Sequence, residues 1–190
     1  DSDFNRTYTN NITVNGYVKY TDHETGDIIP ARGVKVLVYD LEPFNGKKLL
    51  KTLYTNSSGR YYSSFANNDS WTENGYDIFV QLVFETSNFK VKDLYNTYSF
   101  EFDEFKNADN GDYITQSVTF RNPEDNFDRN TALEAHQAAY TGFKYLDYIN
   151  PGNTDTLTVH YPSWISDTQL SDGCFYDLVG GIHLNTPMSE

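Results

Sequence analysis

The sequence predicts a mainly β fold: an antiparallel β-sandwich of about seven short strands, followed by a helix-containing appendix. Three observations carry this expectation. Apolar and polar residues alternate through most of residues 12–120, the period of a strand with one buried face. Clusters of Gly, Pro, Asn, Asp and Ser interrupt the alternation about every 8–12 residues. Beyond Pro123 the apolar spacing changes to three and four residues, the period of an amphipathic helix.

Residues 1–11 are polar and without period, so they read as a flexible arm or as an edge strand that needs a partner. The sandwich is expected over residues 12–120. In its first strand Ile12, Val14, Gly16, Val18 and Tyr20 share one face, and Thr13, Asn15, Tyr17 and Lys19 share the other. Asp22 to Gly33 reads as a loop, because Gly26, Pro30 and Gly33 punctuate it. Val34 to Tyr39 is dense in β-branched residues and predicts a second strand. After the turn Pro43-Phe44-Asn45-Gly46 come Leu49–Thr55 and Arg60–Phe65, two strands joined by Asn56-Ser57-Ser58-Gly59. Gly59 is the residue able to take the positive φ that a tight turn demands.

A polar loop, Asn67 to Gly75, leads to Tyr76–Glu85, which is apolar on both faces at Phe79 and Val83 and is therefore expected to be central. Thr97–Phe102 and Tyr113–Phe120 complete the sandwich, with the acidic turn Asn107–Asp112 between them. Residues 121–130 form an acidic linker to an appendix over 131–190. There Thr131-Ala132-Leu133-Glu134 has the form of a capping box. The helix it opens runs to Ile149, with Ala132, Ala135, Ala139, Phe143, Leu146 and Ile149 on one face. Asn150-Pro151-Gly152 stops it, and Thr156–Tyr161 and Gly180–Leu184 read as short strands. One helix and two short strands cannot enclose a core alone, so the appendix either packs on the sandwich or begins a further unit.

Composition excludes several function classes. The 190 residues carry a net charge of −13, which repels nucleic acid, whose binding needs clustered Lys and Arg. No apolar run is long enough to span a membrane, and the start at Asp1 rather than Met is expected to reflect either a removed leader or a cut in a longer chain. The acidic composition, rich in Asn, Asp, Thr and Tyr, fits a secreted or cell-surface protein kept soluble by charge. The single cysteine, Cys174, cannot close a disulfide scaffold, and its acidic neighbourhood raises a thiol pKa, so it is expected to be inert. Stability must then come from the core, where 16% aromatic residues supply bulk, or from a bound ion. Asn5, Asn11, Asn56 and Asn68 open Asn-x-Ser/Thr sequons and are glycosylation candidates; Asn56 and Asn68 fall in expected turns.

The stretch from Pro30 to Tyr62 resembles the carboxypeptidase-regulatory-like, or transthyretin-like, family of β-sandwiches, which are immunoglobulin-like in layout. The residues that carry the resemblance are Gly16-Tyr17-Val18, then Pro30 through Asp40, then Thr55-Asn56-Ser57-Ser58-Gly59-Arg60-Tyr61, with Asn56 where the family usually has Asp. The resemblance covers about 110 residues and implies the fold; members of the family serve as folding aids, adhesins, spacers and fibre units. The tail, with its helix, a strand ending in Tyr161-Pro162 and Gly181-Ile182-His183-Leu184, resembles the region preceding the zinc motif of secreted gluzincin-type peptidases. That resemblance implies a non-catalytic amino-terminal piece of a larger precursor, since no His-Glu-x-x-His occurs here.

No catalytic constellation emerges from the residues. His23, His136, His160 and His183 include no i,i+4 pair, although His160 and His183 could meet in space near Asp172 or Asp177. Asp109 and Asp112 in one loop, and Asp125 and Asp128 in another, space oxygen ligands as a calcium ion requires, so Ca2+ is the one cofactor considered. Trp71, Tyr62, Tyr95 and Trp164 are candidate exposed rings, and Trp71, in the loop at one end of the sandwich, is the candidate ligand contact. The leading expectation is a non-enzymatic extracellular structural or adhesive module. Its expected partners are other protein subunits, including copies of itself, joined through the arm or the sheet edges as in a filament built by strand exchange. The alternatives are the peptidase accessory region and a carbohydrate-binding module with glycan partners.

Overall fold

The computed structural model describes residues 10–22, 24–42, 46–67, 75–93, 95–121, 127–149, 151, 157–160, 175–177 and 181–183. In chain order they form β1 (Asn11–Thr21), β2 (Ile28–Pro30), β3 (Lys35–Glu42), β4 (Gly46–Tyr54), β5 (Arg60–Ala66), β6 (Tyr76–Val83) and β7 (Phe89–Lys92). There follow β8 (Ser99–Glu101), β9 (Phe105–Ala108), β10 (Tyr113–Thr115), β11 (Val118–Phe120), α1 (Phe127–Ile149), β12 (Leu157–His160), β13 (Phe175–Asp177) and β14 (Gly181–His183). The protein is mainly β, a sandwich with, among the described residues, one helix on its C-terminal side.

β1 is the spine of the first sheet. Its first half pairs antiparallel with β5, from Asn11↔Ala66 to Tyr17↔Arg60, and parallel with β10, from Thr13↔Tyr113 to Asn15↔Thr115. Its second half changes partners on both edges, pairing antiparallel with β2 and parallel with β11. The second sheet has the order β4-β3-β6, and β8 and β9 share the far edge of β6. Ile12, Val14, Val18 and Tyr20 of β1 meet Val36 and Val38 of β3 and Ile78, Val80 and Leu82 of β6 in one buried cluster. Each such side chain removed from water contributes roughly 1.5–3 kcal/mol, which is what holds the layers together.

Several details depart from the sequence expectation. The sandwich is not purely antiparallel, because the chain returns from the second sheet to the first alongside β1 and runs in its direction. Tyr113–Phe120 is two strands, split where Gln116 donates to the Asn15 carbonyl and the Tyr17 N–H turns to the Ser117 hydroxyl at 3.1 Å. β2 lies within the stretch read as a loop, and β7 and β9 were not expected from the pattern; four residues or fewer are too short to display a period.

The helix starts at Phe127, one turn before Thr131, so Thr131 and Glu134 lie inside it and the end of the acidic linker is helical. The reason is tertiary. Asn130 accepts the Thr21 N–H at 3.1 Å and donates to the Thr21 carbonyl at 2.9 Å. Two turns on, Gln137 does the same for Arg32, accepting at 2.8 Å and donating at 2.9 Å. Each amide satisfies a backbone N–H and C=O as a neighbouring strand would. Between these clamps Ala132, Leu133, Ala135 and His136 enter the same cluster as the sandwich residues, beside Phe84, Phe89 and Phe120. β12 adds parallel to β7, followed by β14 and β13, so the appendix extends a sheet that begins in the sandwich region. Leu146 and Ile149, expected on the buried face, are exposed, because the helix outruns its last ring contact, Phe143 on Phe89.

Candidate functional site: the open face of the first sheet

The Pro30–Tyr62 segment builds the floor of this face. The Thr55 hydroxyl accepts the Val34 N–H at 3.0 Å and donates to the Ala31 carbonyl at 2.7 Å, tying the β2–β3 connection to the end of β4. The Asn56 side-chain oxygen accepts the N–H groups of Ser58 and Arg60, at 2.9 and 3.0 Å, and closes the hairpin turn. An Asp carboxylate at this position could accept the same two N–H groups. Gly59, at φ 69°, brings the turn against the Val18 carbonyl. Tyr61 crosses beneath β1, passes over Gly16 and donates its hydroxyl to the Gln116 carbonyl. Burial pushes the Tyr61 phenol well above its ordinary pKa, so it remains a donor. Thr55→Val keeps the shape and removes the hydroxyl. It is expected to lower stability by roughly 2 kcal/mol or more, since two buried backbone groups lose their partner; a lower urea midpoint at unchanged slope checks this.

On the solvent side the registers set out a grid. Ser64, Thr13 and Tyr113 form one row across β5, β1 and β10, and Tyr62, Asn15 and Thr115 form the next. Arg60 and Tyr17 continue it, with Ser117 beside them. Tyr17, Tyr62 and Tyr113 are 39%, 62% and 66% exposed. Tyr62 and Tyr17 are diagonal neighbours, about 7–8 Å apart at Cα. Lys19 lies over the Tyr17 ring at 4.7 Å. The Asn15 amide donates to the Ile114 carbonyl and the Thr115 hydroxyl, at 3.1 and 3.2 Å, which fixes its orientation. The split between β10 and β11 opens a cavity of about 320 Å³ in this face. A second cavity, about 300 Å³, lies between Tyr54, Asn88, Phe89, Tyr140 and Phe143. It is the seam along which α1 docks, and the Thr86 hydroxyl beside it is engaged by the N–H groups of Asn88 and Phe89.

Of the residues singled out from sequence, Tyr62 belongs to this face and Tyr95 is exposed elsewhere. Asn11 and Asn56 are exposed, and Asn56 borders the cavity. Asp109 and Asp112 share one turn, in which the Asp112 carboxylate accepts the Asp109 N–H at 2.8 Å. Asp128 falls in α1 with only its backbone described, and Asp125, Asn5, Asn68, Trp71, Trp164, His23, Asp172, Cys174 and the arm residues 1–9 lie outside the described residues. Among the described residues no group of three His, Cys, Asp or Glu is placed to hold a metal. His160 and His183 are register partners on β12 and β14. His136 is a core residue against Phe84 and Phe89, its pKa lowered by burial to about 3. Sequence reasoning missed Tyr17 and Tyr113. Tyr17 was legible as an aromatic ring on the polar face of an alternating strand; Tyr113 joins it only through a parallel register that no local pattern encodes.

The fold and this face define a β-sandwich with an aromatic, hydroxyl-rich open surface. No family model matches the chain. No curated protein matches it either. Among solved structures, a 9R-lipoxygenase from Cyanothece shares 13% identity over 80% of this chain and 26% of its own, with a TM-score of 0.39. A 5-hydroxyisourate hydrolase of Klebsiella pneumoniae shares 17% over 58% of this chain and 90% of its own, at 0.32. A minor pilin of Streptococcus agalactiae shares 14% over 58% and 44%, at 0.31. The chain thus spans about a quarter of the lipoxygenase and under half of the pilin. No helix among the described residues is long and apolar enough to cross a membrane.

Proposed function

We propose that this protein is a non-enzymatic, extracellular adhesive module that works through the open face of its first sheet. The observation that carries the reading is the set Tyr17, Tyr62 and Tyr113, three exposed rings on a sheet whose backbone is fixed from beneath by Thr55, Asn56 and Tyr61. Rigid, amphipathic rings give contact area at low entropic cost. The other sheet offers less. Its edge strand β4 exposes Lys47, Lys48 and Lys51, and charged lysines on an edge discourage strand addition. The transthyretin-like resemblance of the Pro30–Tyr62 motif agrees with a scaffold role.

The variant Tyr17→Ser/Tyr62→Ser/Tyr113→Ser should keep the wild-type unfolding midpoint, because these rings lie outside the core. It should lose retention on insoluble cell-surface material from the source cells. Equal retention of variant and wild type, or none by the wild type, sinks the adhesive reading.

A second reading, an accessory region of a secreted zinc metallopeptidase, is favoured by the far end of α1. There Leu146, Tyr148 and Ile149 are exposed, and the strands after α1 join β7 in a mixed sheet of their own. A His-Glu-x-x-His codon run soon after Glu190 in the gene decides for it, and its absence decides against it.

A further inference from the structure

We infer that the open face binds an acidic polysaccharide. The inference rests on the adhesive reading and names the chemistry of its partner. Its first ground is charge. The protein carries −13 overall, yet the outward positions of β1, β5 and β10 hold Lys19 and Arg60 and not one carboxylate. In so acidic a chain a cationic patch this bare of acid is a local well for anions.

The second ground is the kind of contact on offer. Tyr17, Tyr62 and Tyr113 present ring faces and phenolic hydroxyls, while the Asn15 side-chain oxygen and the Thr115 and Ser117 hydroxyls line the cavity beside them. A sugar ring needs that combination: an apolar face to lie on an aromatic ring and equatorial hydroxyls to meet amides and hydroxyls. The central row, Tyr62-Asn15-Thr115, has no aliphatic side chain, so the apolar contact it offers is a ring face rather than a packed apolar patch. Nucleic acid also stacks on rings, but its affinity comes chiefly from clustered Lys and Arg on successive phosphates, and the outward positions of these strands hold only Lys19 and Arg60.

The third ground is shape. Tyr62 and Tyr113 lie on the strands either side of β1 and are offset along it, so a ligand touching both crosses the sheet obliquely. The break at Gln116–Ser117 opens the cavity beside that diagonal. An extended chain fits such a track, with Arg60 at one side to meet a carboxylate or sulfate bidentately.

The test uses the full chain, made in a host that does not N-glycosylate, because Asn56 borders the cavity. Affinity electrophoresis is run in gels containing polygalacturonate, alginate, hyaluronate or heparin. Companion gels contain methyl-esterified polygalacturonate, poly-glutamate or poly(U) RNA. Retardation is expected with at least one acidic polysaccharide. It should weaken about tenfold or more for Tyr62→Ala/Tyr113→Ala and for Arg60→Ala, each at an unchanged unfolding midpoint. If polygalacturonate is the ligand, esterification should abolish the effect.

Equal retardation by poly-glutamate overturns the sugar assignment in favour of any polyanion, and preference for poly(U) overturns it in favour of nucleic acid. No retardation by any polysaccharide also overturns the inference. In that case the adhesive reading is judged separately, by whether the triple tyrosine variant still loses cell-surface retention.

Discussion

Acidification from pH 7 toward 3 is expected to loosen α1 from the sandwich, through His136. The imidazole is fully buried against Phe84 and Phe89, and burial lowers its pKa from 6.5 to about 3. Its hydrogen bonding sets the tautomer. The Arg32 N–H donates to the Gln137 oxygen, so the Gln137 nitrogen must be the atom that faces His136 Nδ1, 2.9 Å away. Nδ1 therefore accepts, and the proton sits on Nε2. A second proton at Nδ1 would set two donors against each other and pull Gln137 from Arg32.

The folded pKa lies below the unfolded one, so unfolding takes up a proton. The His136 contribution is complete above about pH 6.5, declines as the pH falls, and levels off near pH 3. At 1.36 kcal/mol per pKa unit the full loss is on the order of 5 kcal/mol. His136→Leu removes the titration while keeping an apolar side chain of similar reach. The wild-type minus variant difference in unfolding free energy, measured from pH 7 to pH 4, should shrink or reverse by several kcal/mol, with carboxylate effects cancelling. A difference that stays flat with pH would remove His136 from this role.

Gly16→Ala is expected to be among the most damaging single substitutions in the chain. A Cβ at Gly16 would fall inside the Gln116 carbonyl and 2.7 Å from the Tyr61 hydroxyl. The first obstacle is backbone, which cannot rotate away, so β10 and β11 must separate from β1. The expected cost exceeds about 3 kcal/mol, the range of severe overpacking. Tyr61→Phe keeps the ring and loses only the hydrogen bond to Gln116, so it should cost about 1 kcal/mol. Chemical denaturation of the two variants separates steric from hydrogen-bonding effects. Near-equal midpoints would show that the close approach at Gly16 is relieved cheaply. Because this crossing lies directly under the tyrosine grid, Gly16→Ala should also weaken ligand retention, whereas Tyr61→Phe should leave most of it.

Much of the sandwich was legible because its cause is local. Val36 and Val38, or Ile78, Val80 and Leu82, alternate because one face of each strand is buried, and that alternation is written residue by residue. The helix was legible in type but not in its start, because Asn130 makes its hydrogen bonds to Thr21, far away in the chain. Likewise Leu146 and Ile149 continue a helical stripe whose period is correct, but the surface they would pack on ends at Phe89. The candidate site was half legible. Tyr62 was picked out as a ring and Tyr17 was assigned to the polar face, but nothing in the order of residues relates either to Tyr113.

By itself the sequence determined a mainly β chain, the face each β1 residue presents, and the turn that Asn56 and Gly59 close, since all of these follow from neighbours within a few positions. The tertiary structure alone decided that β10 and β11 run parallel to β1, that His136 is sealed among aromatic rings, and that three tyrosines from three strands share one face whose described strand positions carry no carboxylate. Those features depend on contacts between residues about 100 apart, such as Asn15 with Thr115. Such contacts cost loop-closure entropy, are won back only by the packing of the whole core, and leave no periodic trace along the chain.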